Sequence, residues 1–174
     1  MKIDRVSLLT PAALSGCDFS FEVTEELVPP YENPFQHVAA VSPYCKKYEL
    51  VESDFILEEA YDDRLLLAAG EADRLQGYIL ASKSWNNYVQ IDDFAVDRSA
   101  RHLGIGRALM NVVVAWTRKE NLPGIRLETQ SNNVAACRFY YRYGFRLGGF
   151  DRQLYTVLKK ERPEIALYWY LFLE

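Results

Sequence analysis

The string Arg101-x-x-Gly104-x-Gly106 is built to hold phosphate. It lies between a strand-like run, Val89 to Val96, and a helix-like run reaching Trp116. In the latter, Ile105, Leu109, Val112, Val113 and Trp116 recur at the spacing of one helix face. The first-turn amides of a helix have no intrahelical partners and point outward, and the helix dipole adds partial positive charge there. Arg101, His102 and Arg107 supply basic side chains, and Gly104 and Gly106 allow close backbone approach. Three carboxylates are candidates to take a proton: Asp92 and Asp93 in the first strand, and Glu128 in a second. Strand alternation predicts that Asp92 and Asp93 face opposite sides.

Two familiar phosphate loops are excluded. A Walker loop needs Gly-x-x-x-x-Gly-Lys followed by Ser or Thr, and no such string occurs. A dinucleotide fingerprint needs a third small residue, where this chain has Leu109, and it needs repeated strand–helix–strand units.

The elements that position the loop follow from apolar patterning. Arg64–Ala69 and Leu75–Ser84 read as an antiparallel hairpin around a turn at 70–74, and Trp85-Asn86-Asn87 turns into Val89–Val96. Pro123-Gly124 stops the long helix, and Ile125 to Thr129 alternates as a strand. Asn133 caps a second helix, Val134–Tyr143, closed by Gly144. Phe145–Leu154 and Ile165–Phe172 complete the strands. Ile3–Leu9 is a candidate first strand, with Pro11 opening a short helical or loop segment. No firm element is legible between Ala12 and Asp54, where Pro29, Pro30 and Pro34 interrupt the pattern and Ser42 to Tyr48 reads as a connection. The expectation is one α/β domain over 1–174 with a mixed, mostly antiparallel sheet flanked by helices. It comprises a poorly legible part at 1–54, a core at 64–154 and a final strand at 165–173.

At 174 residues, with 49% hydrophobic and 25% charged residues, the composition is that of a globular domain with a substantial core. No apolar run reaches the about 18 residues of a membrane helix, and the N-terminus lacks a signal peptide's apolar centre, so a cytoplasmic protein without a membrane partner is expected. Cys17, Cys45 and Cys137 are widely spaced and accompanied only by His37 and His102, which predicts reduced thiols and no metal. A net charge of −4 argues against a nucleic-acid partner and favours a cationic substrate.

The loop, the preceding Phe94-Ala95-Val96, and the downstream string Asn133-x-x-Ala136-x-x-x-Tyr140-x-x-x-Gly144-Phe145 together resemble the GNAT superfamily of N-acetyltransferases. Val41 to Tyr44, Ser84-Trp85-Asn86, Ile125 to Gln130, Gly148 to Asp151 and Ala166 to Tyr170 look more narrowly like the streptothricin (nourseothricin) acetyltransferases. The resemblance implies acetyl-CoA as cosubstrate, with its acyl-pantetheine arm between two splayed strands on the backbone of Phe94, Ala95 and Val96. It implies pyrophosphate over Arg101, His102, Leu103, Gly104, Ile105, Gly106 and Arg107, with Asn133 and Tyr140 also at the cofactor. Tyr140 would protonate the leaving thiolate, and Asp92, with Asp93 and Glu128 as alternatives, would take the amine's proton unless water does. Tyr44, Trp85, Asn86, Asp93, Asp151 and Tyr155 would line the side of a small cationic amine, the β-lysine moiety of the antibiotic. Rival readings are acetylation of a polyamine or protein amine, and a CoA sensor without chemistry. The aromatic final strand and the proline-rich early segment are the candidate surfaces of a homodimer.

Overall fold

The computed structural model describes residues 1–57, 63–71, 74–158 and 164–173. In chain order the elements are β1 (Lys2–Arg5), α1 (Pro11–Ser15), β2 (Phe21–Leu27), β3 (Val38–Lys46), β4 (Arg64–Glu71), β5 (Arg74–Lys83), β6 (Val89–Val96), α2 (Ile105–Lys119), β7 (Gly124–Gln130), α3 (Val134–Tyr143), β8 (Arg146–Asp151) and β9 (Ala166–Phe172). The architecture is α/β with mostly antiparallel strands, as expected. Two compact units divide the chain: 1–21 with 47–125 and 173, and 22–46 with 126–172.

In the first unit the strand order is β1-β4-β5-β6, each pair antiparallel. β4 and β5 are apolar almost throughout because both faces are covered. On one face Leu66, Tyr78 and Leu80 pack with Leu9, Leu14, Cys17, Phe19 and Phe55. The Tyr78 ring meets Phe19 and Phe55 edge-on, at 5.3 and 5.0 Å. On the other face Leu65, Leu67, Ala69, Ile79 and Ala81 are buried, and α2 packs on β4, β5 and β6. The α2 stripe follows the sequence pattern with one exchange: Ile105, Leu109, Val113 and Trp116 are buried, Val112 reaches solvent, and Met110 is buried instead. Each fully buried aliphatic side chain contributes about 1.5–3 kcal/mol. Gly77 seats the start of α2: a Cβ there would lie 3.0 Å from the Ala95 carbonyl oxygen and 3.3 Å from Ile105.

In the second unit β2 pairs with β3, and β7-β9-β8 lie in that order, with β8 and β9 antiparallel. The segment between Ala12 and Asp54 is more regular than the sequence suggests. It holds β2 and β3, and Val38–Lys46 extends through Pro43, which a two-stranded pair tolerates because each strand has a free edge. The first strand ends at Arg5 instead of Leu9. β8 ends at Asp151, whose carboxylate accepts from the Gln153 amide at 2.7 Å and turns the chain away. The tip of the β4–β5 turn, 72–73, lies outside the described residues.

Candidate active site

The loop after β6 is held by side chains of its own unit. Buried Asp97 accepts from the Ser99 amide and the Asp18 amide, both at 2.9 Å, which ties the strand end to the N-terminal segment. Burial pushes its carboxyl up, but the hydroxyl and amide of Ser99 and the Asp18 amide outweigh it, and the net shift is down. Sequence reasoning missed Asp97, although Asp-x-Ser after a strand is a turn signal. Arg101 corrects an expectation about its charge. Its Nε donates to the Val96 carbonyl at 3.1 Å and its Nη2 to the Ser20 carbonyl at 2.7 Å, so much of its guanidinium fastens the loop.

His102 and Gly104 both take positive φ, +66° and +84°. At Gly104 the left-handed backbone, not crowding, calls for glycine, since a Cβ there would meet nothing within 4 Å. Gly104 is also the N-cap of α2 and offers no side-chain cap, and the first turn carries no acidic residue. Outward amides, open space and the absence of competing carboxylates fit a pyrophosphate, with Leu103 and Arg107 exposed beside them.

Asp93 of β6 pairs with Leu80 of β5 while Ile91 pairs with Ala81, which leaves Asp92 as the extra residue of a β-bulge. The bulge overturns the alternation argument. Asp93 accepts from the Tyr78 hydroxyl at 2.9 Å, and Asp92 is hydrogen-bonded by Ser82 and faces the charge of Arg64. Tyr78 and Ser82 share one face of β5, so both carboxylates turn to that face. Burial pushes the Asp92 carboxyl up, opposed by Ser82 and Arg64, with Asp54 adding repulsion. Its side chain reaches solvent, which screens part of that push. Asp93 is also pushed up by burial, against the hydrogen bonds from Tyr78 and from the Phe94 amide at 2.7 Å. Asp97 donates its amide to Gln76 of β5 at 2.8 Å, so by alternation the amides of Phe94 and Val96 point away from β5 and that of Ala95 toward it. The Phe94 amide is therefore engaged by Asp93, and the Val96 carbonyl by Arg101.

β7 alternates as the sequence predicts, with Ile125, Leu127 and Thr129 buried and Arg126, Glu128 and Gln130 half-buried. The Tyr155 hydroxyl donates to Glu128. Burial first, then the negative charges of Glu128 and Asp151, push the Tyr168 phenol up. Glu128, Asp151 and Tyr155 thus come together, and with them Tyr168, which sequence reasoning missed. The alternation of Tyr168 and Tyr170 along the last strand was the available signal. Tyr44, expected to face substrate, accepts from the Asn132 amide at 2.9 Å. Asn132 belongs to a buried network in which the Lys46 ammonium donates to Glu164 at 2.7 Å, to Asn132 at 3.1 Å and to Gln130.

Asn133 caps α3 as expected, accepting from the Ala136 amide at 3.2 Å. Tyr140 is buried on α3, its ring near Phe139, Phe145 and Trp169. Trp85 is 92% exposed, so its ring is not part of the core. Asn86 turns inward on its own loop, accepting from the Tyr88 amide at 3.4 Å. Among the described residues no three His, Cys, Asp or Glu are placed to hold a metal ion, and the three cysteines are free.

The acetyltransferase (GNAT) family pattern matches residues 22–145 of this sequence. The chain belongs to that family. Streptothricin acetyltransferase A of Bacillus subtilis (strain 168) is 32% identical over 153 residues, which cover 86% of this chain and 87% of the relative. A streptothricin acetyltransferase of Escherichia coli is 35% identical over 133 residues, 76% of this chain and 73% of the relative. A crystal structure of a Bacillus anthracis str. Ames protein described as a streptothricin acetyltransferase, in complex with acetyl coenzyme A, matches with a TM-score of 0.82 and 36% identity over 99% of both chains. A nourseothricin acetyltransferase structure shares the fold, with a TM-score of 0.76 at 22% identity, over 99% of this chain and 98% of that one. As a GNAT protein the chain is an N-acetyltransferase. No helix among its described residues is long and apolar enough to cross a membrane.

Proposed function

We propose that this enzyme transfers acetyl from acetyl-CoA to a primary amine of a streptothricin-type antibiotic, its β-lysine moiety, and thereby gives resistance. The observation that carries this reading is the 32–36% identity to streptothricin acetyltransferases over 86–99% of the chain. The half-buried carboxylates and tyrosines around Glu128 support it, because phenol oxygens and carboxylates suit an ammonium group. The free cysteines support a cytoplasmic location.

In the reaction, an ammonium with an ordinary pKa of about 10 must lose a proton before it can attack. Asp92 takes that proton. The amine nitrogen then bonds to the thioester carbonyl carbon, the carbon–sulfur bond breaks, and Tyr140 protonates the departing thiolate. The amide and free CoA are the products. The loop from Arg101 to Arg107 holds the pyrophosphate, and the Val96 amide, which points away from β5, receives the acyl arm.

Thiol release from acetyl-CoA, measured with streptothricin, spermidine and a peptide panel and followed by mass spectrometry of the antibiotic, tests the reading. One added acetyl on the β-lysine moiety is expected. Turnover confined to spermidine or to peptides overturns the substrate. CoA binding without turnover of any amine overturns the chemistry.

A further inference from the structure

Two adjacent carboxylates in one bulge are held very differently. Both oxygens of Asp93 are engaged, Oδ2 by the Tyr78 hydroxyl and Oδ1 by the Phe94 amide. Asp92 occupies the extra position of the bulge, is exposed, and has Ser82 as its hydrogen-bonding neighbour. Tyr78 itself is completely buried, wedged edge-on between Phe19 and Phe55, which fixes the position of its hydroxyl oxygen. Burial beside Asp93 pushes the Tyr78 phenol far up, and it stays a donor at every working pH.

We propose that Tyr78 is a positioning residue for acetyl transfer: its buried hydroxyl keeps Asp93 as a fixed anion beside the bulge, leaving Asp92 as the carboxylate free to take the amine's proton. This rests on the reading of Asp92 as the proton acceptor. A carboxylate with both oxygens committed cannot turn to a substrate, yet it still draws a cation, and the charge of Asp92 is, after burial, among the causes that push Asp93 up. The other groups facing the pair are Asp54 from the turn at 52–55, Arg64 of β4, and Cys17 after α1, which faces Tyr78. None of these replaces the hydroxyl as a donor to Asp93 Oδ2.

Tyr78→Phe removes a donor that favours ionised Asp93, so Asp93 holds its proton to higher pH. A hydrogen bond to a charged group corresponds to about one to two pH units. Titration of the side-chain carboxyl carbons by carbon-13 NMR, on the free protein, should show the Asp93 midpoint displaced upward by that amount in Tyr78→Phe. The pH profile of kcat/KM, taken with whichever amine of the panel the parent acetylates, should show a loss that grows as pH falls and shrinks as it rises, with the KM for acetyl-CoA unchanged. Asp93→Asn, which keeps the shape but not the charge, should lose activity by a similar factor at all pH values. Superimposable NMR titrations of parent and Tyr78→Phe overturn the proposal, as does a uniform loss across pH in Tyr78→Phe or parent-like activity in Asp93→Asn. Failure of the parent to acetylate streptothricin overturns the substrate reading alone, because the NMR titration needs no substrate and the kinetics use any competent amine.

Discussion

Lys46→Met would expose how much of the second unit depends on one buried ion pair. The ammonium is 6% exposed and the Glu164 carboxylate 7%, with 2.7 Å between Nζ and Oε1. Removing the lysine leaves the glutamate with the Asn132 amide at 2.9 Å, and leaves the carbonyl oxygens of Asn132 and Gln130 without that donor. An uncompensated buried charge costs about 3–5 kcal/mol. For a chain of 174 residues, at about 2–4 °C per kcal/mol, Tm should fall by about 6–20 °C. Glu164→Gln should cost less, because the ammonium keeps Asn132 and Gln130 as acceptors. The double variant should be less destabilised than Lys46→Met alone, since the buried carboxylate charge is then removed as well. Urea unfolding of all four proteins, followed by circular dichroism, gives the cycle. A Lys46→Met protein within about 1 kcal/mol of the parent would refute the reasoning, because the desolvated pair would then carry no such penalty when broken.

Tyr140→Phe should lower turnover with acetyl-CoA affinity near the parent's; stopped assays across pH check it, and unchanged turnover at every pH removes its acid role. Gly104→Ala should cost about 1–2 kcal/mol because φ is +84°, and should weaken acetyl-CoA binding several-fold, with Gly104→Asn milder. Calorimetry showing equal affinity in all three proteins would sink the loop assignment. Asp97 has a depressed folded pKa, so its stabilisation is present above the unfolded value of about 3.9 and is lost as pH falls through the folded one. Asp97→Asn should therefore be destabilised at neutral pH, with the gap to the parent closing in acid; a gap that stays constant with pH would contradict this.

The elements legible in the sequence were those with strong periodicity and clean punctuation. The hairpin β4–β5, the strand β6, and both long helices emerged from apolar spacing, Asn133 and Gly144. β2 and β3 did not, because a two-stranded pair needs no continuous apolar run and Pro43 reads as a breaker until its edge position is known. Asp92 and Asp93 were found by type, but their facing was misread, because a bulge adds a residue to the strand without leaving a mark in the pattern. Tyr78, Lys46 and Glu164 were invisible for another reason: each looks like an ordinary core or surface residue, and its partner lies 15, 84 to 118, or 32 to 118 residues away.

Arg101 fastens the loop with its own guanidinium, and on the proposed assignment of the loop this shapes the energetics of recognition in an acidic protein with a pI near 5.3. A long side chain reaching for phosphate must give up rotamer freedom on binding, at about 0.5–1.5 kcal/mol each. Here that ordering is already complete in the free enzyme. What the loop offers an anion is a set of main-chain dipoles whose directions are fixed by Gly104 and the first turn of α2. On the proposed assignment of the loop, association then carries little entropic penalty from the protein, for the cosubstrate and for its CoA product alike.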